Sequence, residues 1–161
     1  MTELIRFINA YQELDSEKEL AIKSYFKKVA LKKNEFLIQE GDTCSKVWFI
    51  ESGLIRRFYV KDGLDITEWI YHSNQWVTSL SSFIEQKPSF EYLEVCEETV
   101  LYSLPYQDEQ KLLEYPLFSK FQIKQLRLYL SKLNEFHHIY KLMGAHEKYT
   151  YLITYFPEII Q

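Results

Sequence analysis

Cysteine is nearly absent from this sequence. Cys44 and Cys96 are the only two in 161 residues, and no C-x-x-C pair occurs. A structural zinc site or an iron–sulfur cluster takes about four closely spaced ligands, so neither is expected. A Cys44–Cys96 disulfide stays open on the sequence alone, beside two reduced and buried thiols, the commoner state in a domain of this size. Glycine is scarce as well, with four residues, and no G-x-S-x-G, P-loop or H-E-x-x-H is present. No apolar run approaches the ~18 residues of a membrane span. The charged, amphipathic N-terminus MTELIRFINAYQELDSEKEL lacks a signal-peptide core. A cytoplasmic protein without a membrane partner is therefore expected. Basic excess is also lacking: the net charge of −4 leaves no sequence-wide footprint for nucleic acid.

What the chain does have is apolar and aromatic surface, 47% and 17% of residues. That excludes disorder, and the length suits one domain plus an appendage. Three of the four glycines, Gly41, Gly53 and Gly63, punctuate residues 41–76 at even spacing. Between them lie runs of Val, Ile, Phe, Tyr and Trp, which suit a pleated, half-buried surface. Turn signals at such intervals read as a sandwich or barrel.

Apolar residues at helical spacing predict a helix over 2–13 with Leu4, Ile5, Phe7, Ile8 and Tyr11. Ser16 and Glu19 read as the capping box of a second helix running to about Lys28. Strands are predicted at 35–38, 46–52, 54–60 and 65–71, with an Asp62-Gly63 hairpin turn between the last two. Residues 74–90 are serine-rich, with a brief helix near 80–85. Strands return at 90–94 and 99–105. A short helix follows at 106–114, then a long one over 117–143 with Gly144 as its C′ residue, and a last helix over 146–155 ending at Phe156-Pro157. On the long helix, Phe118, Phe121, Leu126, Leu130, Leu133, Phe136 and Tyr140 form one apolar stripe, of which Leu126 to Tyr140 spans about two heptads. It reads equally as a helix–helix seam or as a face packed on the chain's own β unit.

F-L-I-x-x-G-D at 36–42, V-W-F-I-E-S-G-L-I-R at 47–56 and D-G at 62–63, in this order of elements, resemble the sensor half of a Crp/Fnr-family transcription regulator. The resemblance implies an α+β fold: an antiparallel β-roll or jelly roll of the cyclic-nucleotide-binding type, flanked by N-terminal helices and a long C-terminal dimerisation helix. It divides the chain into a sensor domain at 1–116, a dimerisation helix at 117–144 and, at 145–161, the start of a linker to a DNA-binding domain. The tail at 148–161 resembles the lead-in to the family's helix-turn-helix, a module not present in these residues. A longer natural protein is the favoured expectation. The implied partners are a second copy of the chain and DNA through that further domain, with RNA polymerase as a third. The alternative is a stand-alone ligand-binding or interaction module that does not touch DNA.

The resemblance also locates a ligand pocket under the serine-rich loop. There the family uses a glutamate for the ribose and an arginine for the cyclic phosphate. Here Ser79 falls at the glutamate position and Ser89 about at the arginine position. Residues 74–95 contain no arginine, and Lys87 is their one cation. A buried phosphate without its partner charge costs several kcal/mol, so cyclic AMP is not expected to bind in the family's usual way. Thr78, Ser79, Leu80, Ser81, Ser82, Ser89 and Phe90 are the pocket candidates, for an unnamed small effector or for a solvated surface loop with a vestigial pocket. No cofactor, metal or catalytic residue is expected. His72, His137, His138 and His146 lack the i, i+4 spacing of a helical zinc pair. Val47 and Phe49 stand where a metal-dependent jelly-roll enzyme would place histidines. Arg56-Arg57 reads as a solvated basic pair on a strand, with a partner protein as the other possibility.

Overall fold

The computed structural model describes residues 2–9 and 14–155, without the side chains of residues 2, 136, 139, 140, 152 and 155. The described order is α1 (Thr2–Asn9), α2 (Ser16–Tyr25), β1 (Lys27–Leu31), β2 (Phe36–Ile38), β3 (Lys46–Ser52), β4 (Ile55–Lys61), β5 (Leu64–Tyr71), β6 (Trp76–Val77), α3 (Leu80–Glu85), β7 (Tyr92–Val95), β8 (Thr99–Pro105), α4 (Tyr106–Leu113), α5 (Pro116–Leu142) and α6 (Ala145–Tyr155). The chain divides into two compact units, Met1–Phe118 and Ser119–Gln161.

In the first unit two antiparallel four-stranded sheets, ordered β1-β8-β3-β6 and β2-β7-β4-β5, form a jelly roll. The core is closed from the inner faces by Trp48, Ile50, Ile55, Tyr71, Leu93, Val95 and Leu101, with Ile38, Cys44, Val77 and Phe83. Period-two alternation separates Trp48, facing this core, from Phe49, facing the other way. The Phe49 ring centre lies 5.4 Å from that of Phe7 and 5.2 Å from that of Trp76. Helix α1 thus covers the outer side of the first sheet. The Asp62-Gly63 turn has φ +53° and +78°, the left-handed pair that tight hairpins favour.

Several expectations are corrected. Helix α2 is capped by Asp15, whose Oδ1 accepts from Lys18 N at 2.9 Å, so Ser16 is its first helical residue and not a cap. The helix ends at Tyr25, and residues 27–31 form an edge strand paired with β8 from Lys27↔Ser103 to Leu31↔Thr99. Its lysines and mostly exposed side chains hid it from a hydrophobic reading. The two-residue β6 was also missed. Gly144 is not a left-handed C′ residue: its carbonyl accepts from Lys148 N at 3.0 Å and its N–H donates to Glu147 Oε2 at 2.7 Å. It is the N-cap of α6, with Glu147 in the reciprocal capping position. Tyr11, Phe156 and Pro157 lie outside the described residues.

Candidate functional site

The serine-rich loop buries three of its serines while residues 84–88 lie exposed. Ser79, Ser82 and Ser89 are 0–3% exposed. The turn that starts at Gly41 holds the loop in place: Gly41 N donates to Ser89 O and Ser89 N to Asp42 O, both at 2.8 Å, and Thr43 bridges to Pro88. Gly41 adopts φ +90° there, which explains the glycine in the F-L-I-x-x-G-D motif. Gln86 closes α3 in a left-handed conformation, its Nε2 donating to Phe83 O at 2.6 Å.

Buried hydroxyls need partners, and those of the loop find them within the chain. Ser79 and Ser89 hydroxyls bond to each other at 3.0 Å. The Ser89 hydroxyl donates to Glu91 O at 2.9 Å and accepts from Glu91 N at 3.1 Å. Ser82 accepts from Cys44 N at 2.8 Å and donates to Lys87 O. Thr78 donates to Lys46 O at 2.9 Å, with Cys44 Sγ 3.2 Å from its hydroxyl. The fold therefore assembles Thr78, Ser79, Ser82 and Ser89 into two hydrogen-bonded groups, Ser79 with Ser89, and Ser82 with Thr78 through Cys44. Ser81 is half-buried, whereas Leu80 and Phe90 are exposed.

Two charged residues were misread or missed. Arg57 is not a solvated strand residue, since its side chain is 15% exposed. It lies opposite Leu93 in the β4–β7 register and two residues from Ile55, both core residues. Its guanidinium reaches Glu68 Oε2 at 3.2 Å and Glu91 Oε2 at 3.5 Å, and sits 5.9 Å from the Tyr71 ring centre. Glu91 is buried. Arg56 faces the other side of the sheet, paired with Glu94 at 2.6 Å and Asp65 at 2.9 Å and lying 4.0 Å from the Phe58 ring centre. Alternation along β4 was the available signal: Arg57 shares the parity of Ile55, and Arg56 does not.

A separate hollow of about 300 Å³ is lined by Lys33, Asn34, Arg56, Glu94, Val95 and Cys96, none of them a predicted pocket residue. Cys44 and Cys96 are both free thiols, so the disulfide is not made. Burial pushes the Cys96 thiol above its usual pKa, with the Glu94 charge adding to the effect. Among the described residues no group of three His, Cys, Asp or Glu side chains is placed to hold a metal ion, and no helix is long and apolar enough to cross a membrane.

The long-helix stripe separates into two parts. Phe118 and Phe121 are buried, while Ile123, Leu126, Leu130 and Leu133 are 40–53% exposed. The side chains of Phe136 and Tyr140 lie outside the described residues.

The family model described as the cyclic nucleotide-binding domain matches residues 28–115. No curated protein sequence matches the chain. Among solved structures, a cyclic nucleotide-binding domain from Methylobacillus flagellatus superposes with TM-score 0.72 at 18% identity, covering 89% of this chain and 84% of that one. The catabolite activator protein of Thermus thermophilus gives 0.65 at 18% identity, covering 81% of this chain. The chain spans 62% of the length of that activator. The cyclic AMP-bound regulatory domain of Toxoplasma gondii PKA gives 0.61 at 15% identity, covering 88% of this chain and 53% of that one. At these identities the likeness establishes the fold alone, which gene activators and kinase regulators share.

Proposed function

Since the chain belongs to the cyclic nucleotide-binding domain family over residues 28–115, we propose that it is the sensor and dimerisation part of a Crp/Fnr-like transcription regulator. The observation that carries this reading is the exposed series Ile123, Leu126, Leu130 and Leu133 on α5. Its 3-4-3 spacing is that of a helix–helix seam, and its exposure in the single chain suits a second copy. In this reading a signal at the roll changes how the roll is held against the paired helices, and DNA-reading helices in a further domain are re-posed at two half-sites. The chain is non-catalytic and works in the cytoplasm as a homodimer, with DNA, and RNA polymerase beside it, as partners of the whole protein.

The ligand is not cyclic AMP held in the usual way. Ser79 and Ser89, at the two expected nucleotide-binding positions, hydrogen-bond to each other. Titration calorimetry of the chain with cyclic AMP is expected to show no heat of tight binding. A low-micromolar Kd would overturn this part. The DNA-binding part is tested by the reading frame beyond Gln161. An A-x-x-L-G-[IV]-[ST] helix-turn-helix pattern supports it, and a frame that closes without one leaves the stand-alone ligand-binding or interaction module in its place.

A further inference from the structure

The buried Ser79–Ser89 pair leads to an ion pair. Ser79 bonds to Ser89, Ser89 bonds twice to the backbone of Glu91, and the Glu91 carboxylate meets Arg57 Nε at 3.5 Å. The loop has no arginine of its own, and the guanidinium paired with the Glu91 side chain comes from β4, two residues from Ile55 and opposite Leu93 in the core. Its buried anion is supplied by the chain, two residues beyond Ser89.

We propose that Glu91 is a specificity-determining residue beside the buried Ser79–Ser89 pair: its carboxylate holds the place of a ligand anion at Arg57 and excludes anionic ligands, cyclic nucleotides among them. Without that carboxylate, the same residues form a site for a small carboxylate or phosphate. This rests on the reading of the pocket given above.

Two physical effects support the exclusion. An incoming phosphate would meet Glu91 as a like charge in a buried setting, where repulsion is poorly screened. It would also have to displace a tethered carboxylate, which pairs with the guanidinium without losing translational freedom. Glu68, the other partner of Arg57, has a side chain 54% exposed. Its interaction is screened by solvent, and it does not block the buried side of the guanidinium in the same way.

The test uses the full chain, Glu91→Ala, and acetate as the first probe at constant ionic strength. Acetate in excess is expected to raise the melting temperature of Glu91→Ala by about 3 °C more than that of the unsubstituted chain. The extra shift should vanish in Arg57→Gln/Glu91→Ala. Phosphate should act likewise, and cyclic AMP should bind Glu91→Ala at least about tenfold more tightly than the unsubstituted chain. A folded Glu91→Ala without an anion-dependent shift overturns the proposal, as does a shift that survives loss of Arg57. If Glu91→Ala does not fold, Glu91→Gln keeps the volume and removes the charge. If neither folds, recovery of the fold on adding acetate or phosphate supports the proposal, and failure to recover overturns it. Tight cyclic AMP binding by the unsubstituted chain would overturn both this inference and the ligand part of the proposed function. An inert Glu91→Ala would overturn only the inference.

Discussion

At the residue scale, glycines that look alike in the sequence have different duties. Gly53 sits at φ +109°, and a Cβ built there would lie 2.1 Å from Thr99 Oγ1 and 2.7 Å from Thr99 Cα. Gly63 sits at φ +78° with nothing within 4 Å. Gly53→Ala combines backbone strain with a clash against a neighbouring backbone, and about 3 kcal/mol or more of destabilisation is expected. Gly63→Ala carries only the left-handed penalty, about 1 kcal/mol. Urea unfolding of the two variants checks the ranking, and equal losses would contradict it. Both glycines were legible as turn residues, because positive φ has a sequence signature. The close approach of Thr99 was not legible, because it is set by the packing of a strand nearly fifty residues away. Arg57 shows the same limit. Two adjacent arginines read as one exposed feature, yet a strand turns its neighbours to opposite faces. Parity with Ile55 pointed to Arg57, and the register opposite Leu93 shows that this face is the core.

At the scale of elements, long segments with strong patterns were read to within a residue or two, and weakly patterned ones were not. Strands β3 and β8 match their predicted spans, because each combines an apolar pattern with clear turn residues, and the short helix α3 also falls where it was expected, at 80–85. Strand β1, KKVAL, was missed, its first two residues read as the end of the preceding helix, because it sits at a sheet edge and shows little apolar alternation. The start of α2 was placed one residue late, since Ser16 and Asp15 are both good caps and only geometry separates them. Asp15 yields a pH prediction. The hydrogen bonds from the Lys18 side chain and amide hold its carboxyl below the usual carboxylate range. A depressed folded pKa means that its stabilising effect is present above the unfolded value of about 4 and is lost as pH falls through the folded value. Asp15→Asn keeps an acceptor at the cap but does not titrate. The difference in melting temperature between the natural chain and Asp15→Asn should therefore be constant above about pH 5 and change in the acid limb below about pH 4. Thermal scans from neutral to strongly acid pH measure it, and parallel curves throughout would count against the linkage.

At the scale of the molecule, the two-sheet roll followed by a long helix was legible, and what the helix does with its apolar stripe was not. Sequence spacing alone gave one stripe from Phe118 onward and two possible destinations. The structure splits it, with Phe118 and Phe121 buried and Ile123, Leu126, Leu130 and Leu133 exposed. An exposed series at heptad spacing predicts association, and its size can be bounded. Replacing Leu130 and Leu133 by glutamate in both copies removes four leucines from a seam. At about 1.5 kcal/mol each, the low end for full burial, the loss is about 6 kcal/mol, more than four decades in dissociation constant. Light scattering at micromolar concentration should give twice the 19.5 kDa chain mass for the natural protein and a single chain mass for Leu130→Glu/Leu133→Glu. Both leucines are already exposed in the single chain, so the far-ultraviolet spectrum of the variant should stay close to that of the natural chain. A natural chain that remains monomeric at hundreds of micromolar would remove the seam. The proposed coupling between roll and paired helices would fall with it, while the jelly roll and its Arg57–Glu91 pair would stand.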